Sequence, residues 1–417
     1  MVNQDTGRTV FSNFRAIFVG RLVASLSTWL SLVVLAKLSA PETVGIYALA
    51  QAICMPVAEI AKMGLREARS SDTREQFQYG DYLALRIAAV AVALVLISAA
   101  GIAQAGTEVF LVILLYGLNR CFWLLSDILY AHFQLDERMD LIGRSLNIVG
   151  PLSLLFLTLG FYLTGSLVAA TLGQLLAHAA VFVFHDLAIA RERDALKNGG
   201  RLMPNWNPKV LGALSLQVMP LVFATFLIVG AIYFPRVKLE AEFGLASLGI
   251  YAAILALAMA PVRLVTSLGV ATSVRLARMF ADREFSRFLA LLAKMVAGVA
   301  LCGAAGVLIV SEIGGPILGL VYTEAYAAHS GVLVWLVAAA SVRVTANLLQ
   351  FGVIASRKFW WLCWQNGVML VVSIFGCLFL IPAHGIAGAG MVMLMIFCAQ
   401  LLAVLMGIWL ILNAARR

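Results

Sequence analysis

Eight basic side chains, Arg15, Arg21, Lys62, Arg86, Arg120, Arg263, Lys294 and Arg343, fall inside stretches that are otherwise apolar. A charge at membrane depth is costly and normally faces a partner or a hydrated cavity. Arg15, Lys62, Arg86 and Lys294 lie within about two helical turns of the ends of their stretches, close enough to snorkel to the interface. Arg21 and Arg120 fall near the middle of theirs, and Arg263 and Arg343 beyond the middle. These four are the candidate substrate-binding groups. A guanidinium keeps its charge at every physiological pH, and its rigid fork of donors matches phosphate and carboxylate oxygens. Moving a bare ion into a low-dielectric layer costs on the order of 20 kcal/mol by Born arithmetic and several kcal/mol after relaxation. A hydrated groove lined by Arg21, Arg120, Arg263 and Arg343 lowers that barrier, so the chemistry expected of them is the passage of an anionic substrate such as a diphosphate.

Two acids stand against these bases. Asp127 follows Arg120 by seven residues, which places both on one helix face two turns apart; the pair reads either as a structural ion network or as part of substrate handling. Glu59, one turn after Pro56 and close to Lys62, reads as an ion-pairing residue. Asp127 and Glu59 are also the candidates for ion coupling. His178 and His185 are spaced seven apart as well, and hydrogen-bonded packing explains them better than a proton relay. The six cysteines all fall in apolar stretches, with no CxxC or metal-ligand spacing, so they read as packing residues. Neither a metal site, a cofactor nor a catalytic group is expected.

The elements that carry these residues follow from composition. The 417 residues are 62% hydrophobic and only 12% charged, with a mean hydropathy of +0.96, whereas soluble domains carry roughly 25% charged residues. That excludes a soluble enzyme domain, a disulfide-stapled module and a nucleic-acid binder. The net charge of +9 must be read by location. Apolar runs long enough to span a bilayer occur near 10–37, 45–66, 82–100, 108–131, 142–163, 167–189, 210–235, 247–270, 288–310, 327–350, 359–380 and 386–412. The predicted fold class is therefore an all-α integral membrane protein of about 12 transmembrane helices. The last two runs share one stretch free of charged residues, divided at Ile381-Pro382-Ala383-His384-Gly385, whose Pro and Gly mark a helical hairpin.

Basic residues are retained on the cytoplasmic side. With both termini placed there, the inner loops and termini hold most of the 30 Lys and Arg, and the outer loops only Lys37, Arg236 and Lys238. Phe359-Trp360-Trp361-Trp364 beside Arg357 and Lys358 reads as an interfacial anchor. The chain also repeats itself. Gly45-Ile46-Tyr47-Ala48, then Pro56 and Gly64, match Gly249-Ile250-Tyr251-Ala252, then Pro261 and Gly269, at the same place in each half. The expected organisation is a six-helix bundle over 1–190, a cytoplasmic linker over 191–209 and a second six-helix bundle over 210–417. Six spans is an even number, so the halves share one orientation.

Three segments resemble the polysaccharide transporters, or O-antigen-type flippases, of the multidrug/oligosaccharidyl-lipid/polysaccharide exporter superfamily. They are Leu38 to Ala48 with Pro56, Leu320-Val321-Tyr322-Thr323-Glu324-Ala325-Tyr326-Ala327-Ala328, and Leu380 through Ala389. The resemblance implies two pseudo-symmetric six-helix lobes around a central cavity. It implies a substrate too: a polyprenyl-diphosphate-linked oligosaccharide, flipped from the inner to the outer leaflet of a bacterial inner membrane. Membrane lipids, and the polysaccharide polymerase and chain-length machinery, are the further partners it implies, and nucleic acid is not among them. An ion-coupled drug exporter of the same superfamily is the alternative, yet 10–37 lacks the Asp or Glu expected of that branch. A membrane polymerase or ligase needs a large outer loop with catalytic groups, and the longest here, 311–326, offers only Glu312 and Glu324 as charges.

Overall fold

The computed structural model describes residues 3–71, 76–104, 106–136, 138–192, 203–282, 284–355 and 360–416. Side chains are described for all of these but 3–14, 70–71, 263–278, 280–281, 351, 354–355, 360, 412 and 414–416. In the order of the chain the helices are α1 (Asn3–Leu38), α2 (Pro41–Ala61), the short α3 (Leu65–Ser71), α4 (Tyr79–Ile102), α5 (Thr107–Leu135), α6 (Met139–Thr164) and α7 (Leu167–Val181). After α7 the chain runs through a π turn, Phe182–Leu187. Then follow α8 (Pro208–Ala281), α9 (Phe285–Val321), the single turn α10 (Glu324–Ala327), α11 (Ser330–Ala355) and α12 (Trp360–Arg416). The described residues contain no strand. Lipid offers no partner for backbone N–H and C=O, so each span must satisfy its own, which selects the helix.

Among the described residues ten helical stretches are long and apolar enough to cross a bilayer, and two of them, Pro208–Val262 with 55 residues and Trp361–Ile411 with 51, are far longer than one crossing. At about 1.5 Å per residue each reaches roughly 80 Å, against about 30 Å of hydrocarbon. Both are broken. Gly244 (φ 76°) interrupts α8 and Gly385 (φ 56°) interrupts α12, in backbone conformations that only glycine adopts without strain. Each therefore serves as two spans, and among the described residues the crossings number twelve, as the apolar runs predict. Large apolar side chains such as Leu163, Phe184, Leu301 and Phe379 are more than two-thirds exposed, the surface a lipid-facing protein presents.

The chain divides into two compact units, Met1–Leu38 with Leu49–Thr225, and Ser39–Ala48 with Phe226–Arg417. In the first, α1 packs on α6, and Gly20 and Gly143 let the two backbones touch. Leu214 and Val218, on the first turns of α8, join Leu65, Tyr82, Leu85, Ile128 and Ala131 in one core cluster. The end of the interhelical linker is docked there as well. The Asn205 amide donates to the Gly80 carbonyl at 2.9 Å, and its side chain to Asp81 at 2.7 Å.

In the second unit the two copies of Gly-Ile-Tyr-Ala meet. Gly45 lies against the Leu245 carbonyl and Gly249 against the Pro41 carbonyl. Gly45 to Gly249 and Pro41 to Leu245 are the same interval of 204 residues, so the contact is reciprocal, as self-complementary contacts are about a two-fold axis. The motif entering α11 braces the same region: the Tyr322 hydroxyl donates to the Ala253 carbonyl at 2.7 Å, and the Tyr322 and Tyr326 rings stack at 5.1 Å. Trp361 differs from the expected interfacial anchor. Its indole N–H donates to the Ala403 carbonyl at 3.0 Å, tying the two arms of α12 together, because a partly buried indole needs an acceptor. Phe359 lies outside the described residues, as does the side chain of Trp360.

Candidate functional site

The charged groups of the first unit sort into two sets. The first is built on Asp127 of α5. Its Oδ2 is 3.0 Å from Arg86 Nη2 and its Oδ1 is 3.4 Å from Arg66 Nη1. Arg86 also donates to the Ala61 carbonyl at 3.1 Å, and Arg66 to Gln134 Oε1 at 3.2 Å. The expectation that Arg86 snorkels to the interface is overturned: its side chain has no exposed surface. Position along α4 puts it near a span end, but the face it occupies points inward, where Asp127 offsets its charge. Arg21 is exposed on α1, within electrostatic range of Arg66, Asp127 and Glu67. Asp127 therefore takes its partners from α4 and from the segment after α2, and Arg120 is not one of them.

Arg120 forms the second set. Its guanidinium lies 3.9 Å from Met55 Sδ, 3.5 Å from Asn119 Oδ1 and 5.0 Å from the centre of the Tyr116 ring. Its Nε is buried without an acceptor. No carboxylate pairs with it among the described residues. A thioether is a weak acceptor and a ring face offers only a fraction of a salt bridge, so the charge retains most of its capacity to bind an anion.

Arg343 of α11 repeats this placement. It lies 4.0 Å from Met259 Sδ and 4.9 Å from the centre of the Phe397 ring. Arg120 is the fourteenth residue of α5 and Arg343 the fourteenth of α11. Met55 and Met259 are separated by the 204-residue interval that aligns the Gly-Ile-Tyr-Ala copies. The equivalence runs on down the helix face, with a change of chemistry: Asp127 stands seven residues after Arg120, and Gln350 seven after Arg343. In the second unit this stretch is neutral, with the Gln400 side chain donating to Asn347 at 3.2 Å and Gln350 at 3.3 Å. Arg263 falls on α8 with its side chain outside the described residues.

Glu59 pairs with Lys62 at 2.6 Å, both side chains more than a quarter exposed, and the Lys62 ammonium also lies 4.3 Å over the Trp123 ring. His178 is hydrogen-bonded to the Gln174 carbonyl one turn back, which leaves it in packing. His185 instead contacts a carboxylate that the spacing arguments passed over, Asp186, at 3.0 Å. Hydropathy places Asp186 at the end of a span, and only the π turn reveals that it faces the interior. Among the described residues no group of three or more His, Cys, Asp or Glu is arranged to hold a metal ion.

No protein-family profile matches the chain. The capsular polysaccharide biosynthesis protein CapF of Staphylococcus aureus is 23% identical over 379 residues, covering 91% of this chain and 94% of that protein. Among solved structures, the lipid II flippase MurJ in an inward closed conformation superposes with a TM-score of 0.72 at 11% identity, covering 94% of this chain and 87% of its own. An inward-facing multidrug resistance transporter of the MATE family, MOP superfamily, superposes with a TM-score of 0.67 at 12% identity, covering 96% of this chain and 99% of its own. At such identities the likeness establishes the fold, that of two-lobed multi-pass membrane transporters.

Proposed function

We propose that this chain, which has the fold of the multidrug/oligosaccharidyl-lipid/polysaccharide exporter superfamily, is a flippase. Its substrate is a polyprenyl-diphosphate-linked oligosaccharide, moved from the inner to the outer leaflet of the bacterial cytoplasmic membrane by alternating access, for surface polysaccharide biosynthesis. Residues 1–190 and 210–417 are the duplicated bundles, joined by the linker 191–209, with both termini cytoplasmic. The observation that carries the reading is the paired placement of Arg120 and Arg343, each a guanidinium over an aromatic ring and against a methionine sulfur at the same position of an equivalent helix. A diphosphate needs fixed cationic forks at membrane depth, and these two positions supply one in each half. Arg21 and Arg263 extend the anion path. The polymerase and chain-length machinery are the partners expected to take the product.

The test is flipping of a polyprenyl-diphosphate oligosaccharide by the purified chain in proteoliposomes. A charge-assisted hydrogen bond is worth about 1.5–3 kcal/mol, so Arg120→Gln and Arg343→Gln each slow flipping by roughly tenfold or more while the protein remains inserted and folded. Charge reversal at Arg263 or Arg343 to Glu does the same or worse. Full flipping by all four variants removes the anion groove. Efflux of a cationic dye without lipid flipping places the chain with drug exporters instead.

A further inference from the structure

Asp186 is completely buried, and among the described residues no arginine or lysine pairs with it. Its Oδ2 accepts from the Ser126 hydroxyl at 2.6 Å and the Tyr130 hydroxyl at 3.4 Å, and its Oδ1 lies 3.0 Å from His185 Nδ1. The Tyr130 hydroxyl also lies 2.7 Å from the Ser145 hydroxyl. Three side chains thus converge on one carboxylate, with Ser145 of α6 behind one of them. Asp186 lies in the π turn Phe182–Leu187, within the last part of the span Leu167–Glu192, and such turns are frequent at functional sites.

The surrounding charges are engaged elsewhere. Asp127, next to Ser126 on α5, faces Arg86 and Arg66. Arg66 reaches the group only through the Tyr130 ring, 5.7 Å from its centre, and Arg21 of α1 lies beyond Arg66 within range of Asp127. On α6, Arg144 beside Ser145 is exposed and 3.7 Å from Asp140. On α7, His178 is bonded to the Gln174 carbonyl.

We propose that Asp186 is a proton-binding site, loaded through His185 and serving both protonation states by rotation of the Ser126 and Tyr130 hydroxyls. Hydroxyl groups donate to a carboxylate and equally accept from a neutral acid, so the same three partners satisfy Asp186 charged or protonated. Of the group, His185 has the most exposed side chain, at 18%, and its two ring nitrogens can each carry or accept a proton. Neutralising Asp186 weakens its hold on Ser126 and so biases the packing of the π turn against α5. Coupling of this event to substrate movement rests on the flippase reading; the proton site itself does not.

Infrared difference spectra of the purified protein, recorded through a pH titration, test the site without any substrate. The wild type shows a protonated-carboxyl band whose intensity changes with pH. D186N lacks the band and E59Q keeps it. S126A removes a donor to the charged form, so its midpoint moves up by roughly one unit; this variant decides the matter even where D186N fails to fold. A band that persists in D186N, or a midpoint unmoved in S126A, overturns the assignment. In proteoliposomes an imposed proton gradient changes the flipping rate of the wild type but not of D186N, and a sodium gradient affects neither. A sodium response lost in D186N replaces the proton by sodium. Absence of flipping in every protein, with the infrared titration intact, defeats the flippase reading alone.

Discussion

Replacing Asp127 with Asn keeps the shape of the side chain and removes its charge. In the native fold the carboxylate faces Arg86 at 3.0 Å and Arg66 at 3.4 Å. Arg66 retains some exposure and a bond to Gln134, so it is partly rescued by solvent. Arg86 has no exposed surface and keeps only the Ala61 carbonyl as an acceptor, with its Nε already unbonded. Removing one partner of a buried pair costs about 3–5 kcal/mol, which is roughly two to three and a half orders of magnitude in a folding equilibrium. Asp127→Asn is therefore expected to lower the melting temperature in detergent sharply. Swapping both members for apolar groups, Arg86→Met with Asp127→Leu, is expected to recover most of the loss, because an apolar replacement of a whole buried pair is often neutral or stabilising. A double-mutant cycle on thermal unfolding measures the coupling. If Asp127→Asn melts like the wild type, or the double variant is no better than the single, Asp127 is not a structural partner and its role as an ion-coupling residue returns.

Glu59→Gln is expected to cost less than about 1 kcal/mol, since the Lys62 pair is solvent-accessible and the ammonium keeps its place over Trp123; a large drop in melting temperature contradicts that reading. Gly249→Ala drives a methyl group into the Pro41 carbonyl, an overpacking cost of about 1–3 kcal/mol, and Gly45→Ala is expected to match it because the contact is reciprocal. Unequal losses in melting temperature count against the two-fold relation of the motifs.

The spans were legible because a bilayer imposes one length and one polarity on every crossing, and the hairpin at Pro382 to Gly385 because its residues cannot continue a helix without a break. The faces were not. Arg86 lies close enough to a span end to snorkel, and only the rotation of α4 toward α5 turns it inward onto Asp127. Asp127 shares a face with Arg120, yet seven residues of helix separate them by about 10 Å along the axis, too far for a direct bond, and arginines from other segments are nearer. Asp186 escaped notice because the π turn, not a regular helical period, sets its direction. The linker likewise carries a signal that composition hides: Asn205 is bonded to Gly80 and Asp81 at the start of α4, so the linker's end is packed where a charged loop would be expected to be solvated.

The duplication separates what folding requires of these charges from what function requires. The arginines of α5 and α11 keep the same kind of partner in both halves, a methionine sulfur and an aromatic ring. The ion network lies two turns further on, and it is not shared: Asp127 binds two arginines in the first half, while its counterpart Gln350 sits in a neutral row with Asn347 and Gln400. The folding solution diverged between the copies. What recurs is the guanidinium at the fourteenth residue, with its methionine sulfur and its ring. For Arg120 a thioether and a ring face do not neutralise the charge, and the anion groove proposed above accounts for a guanidinium recurring at both positions.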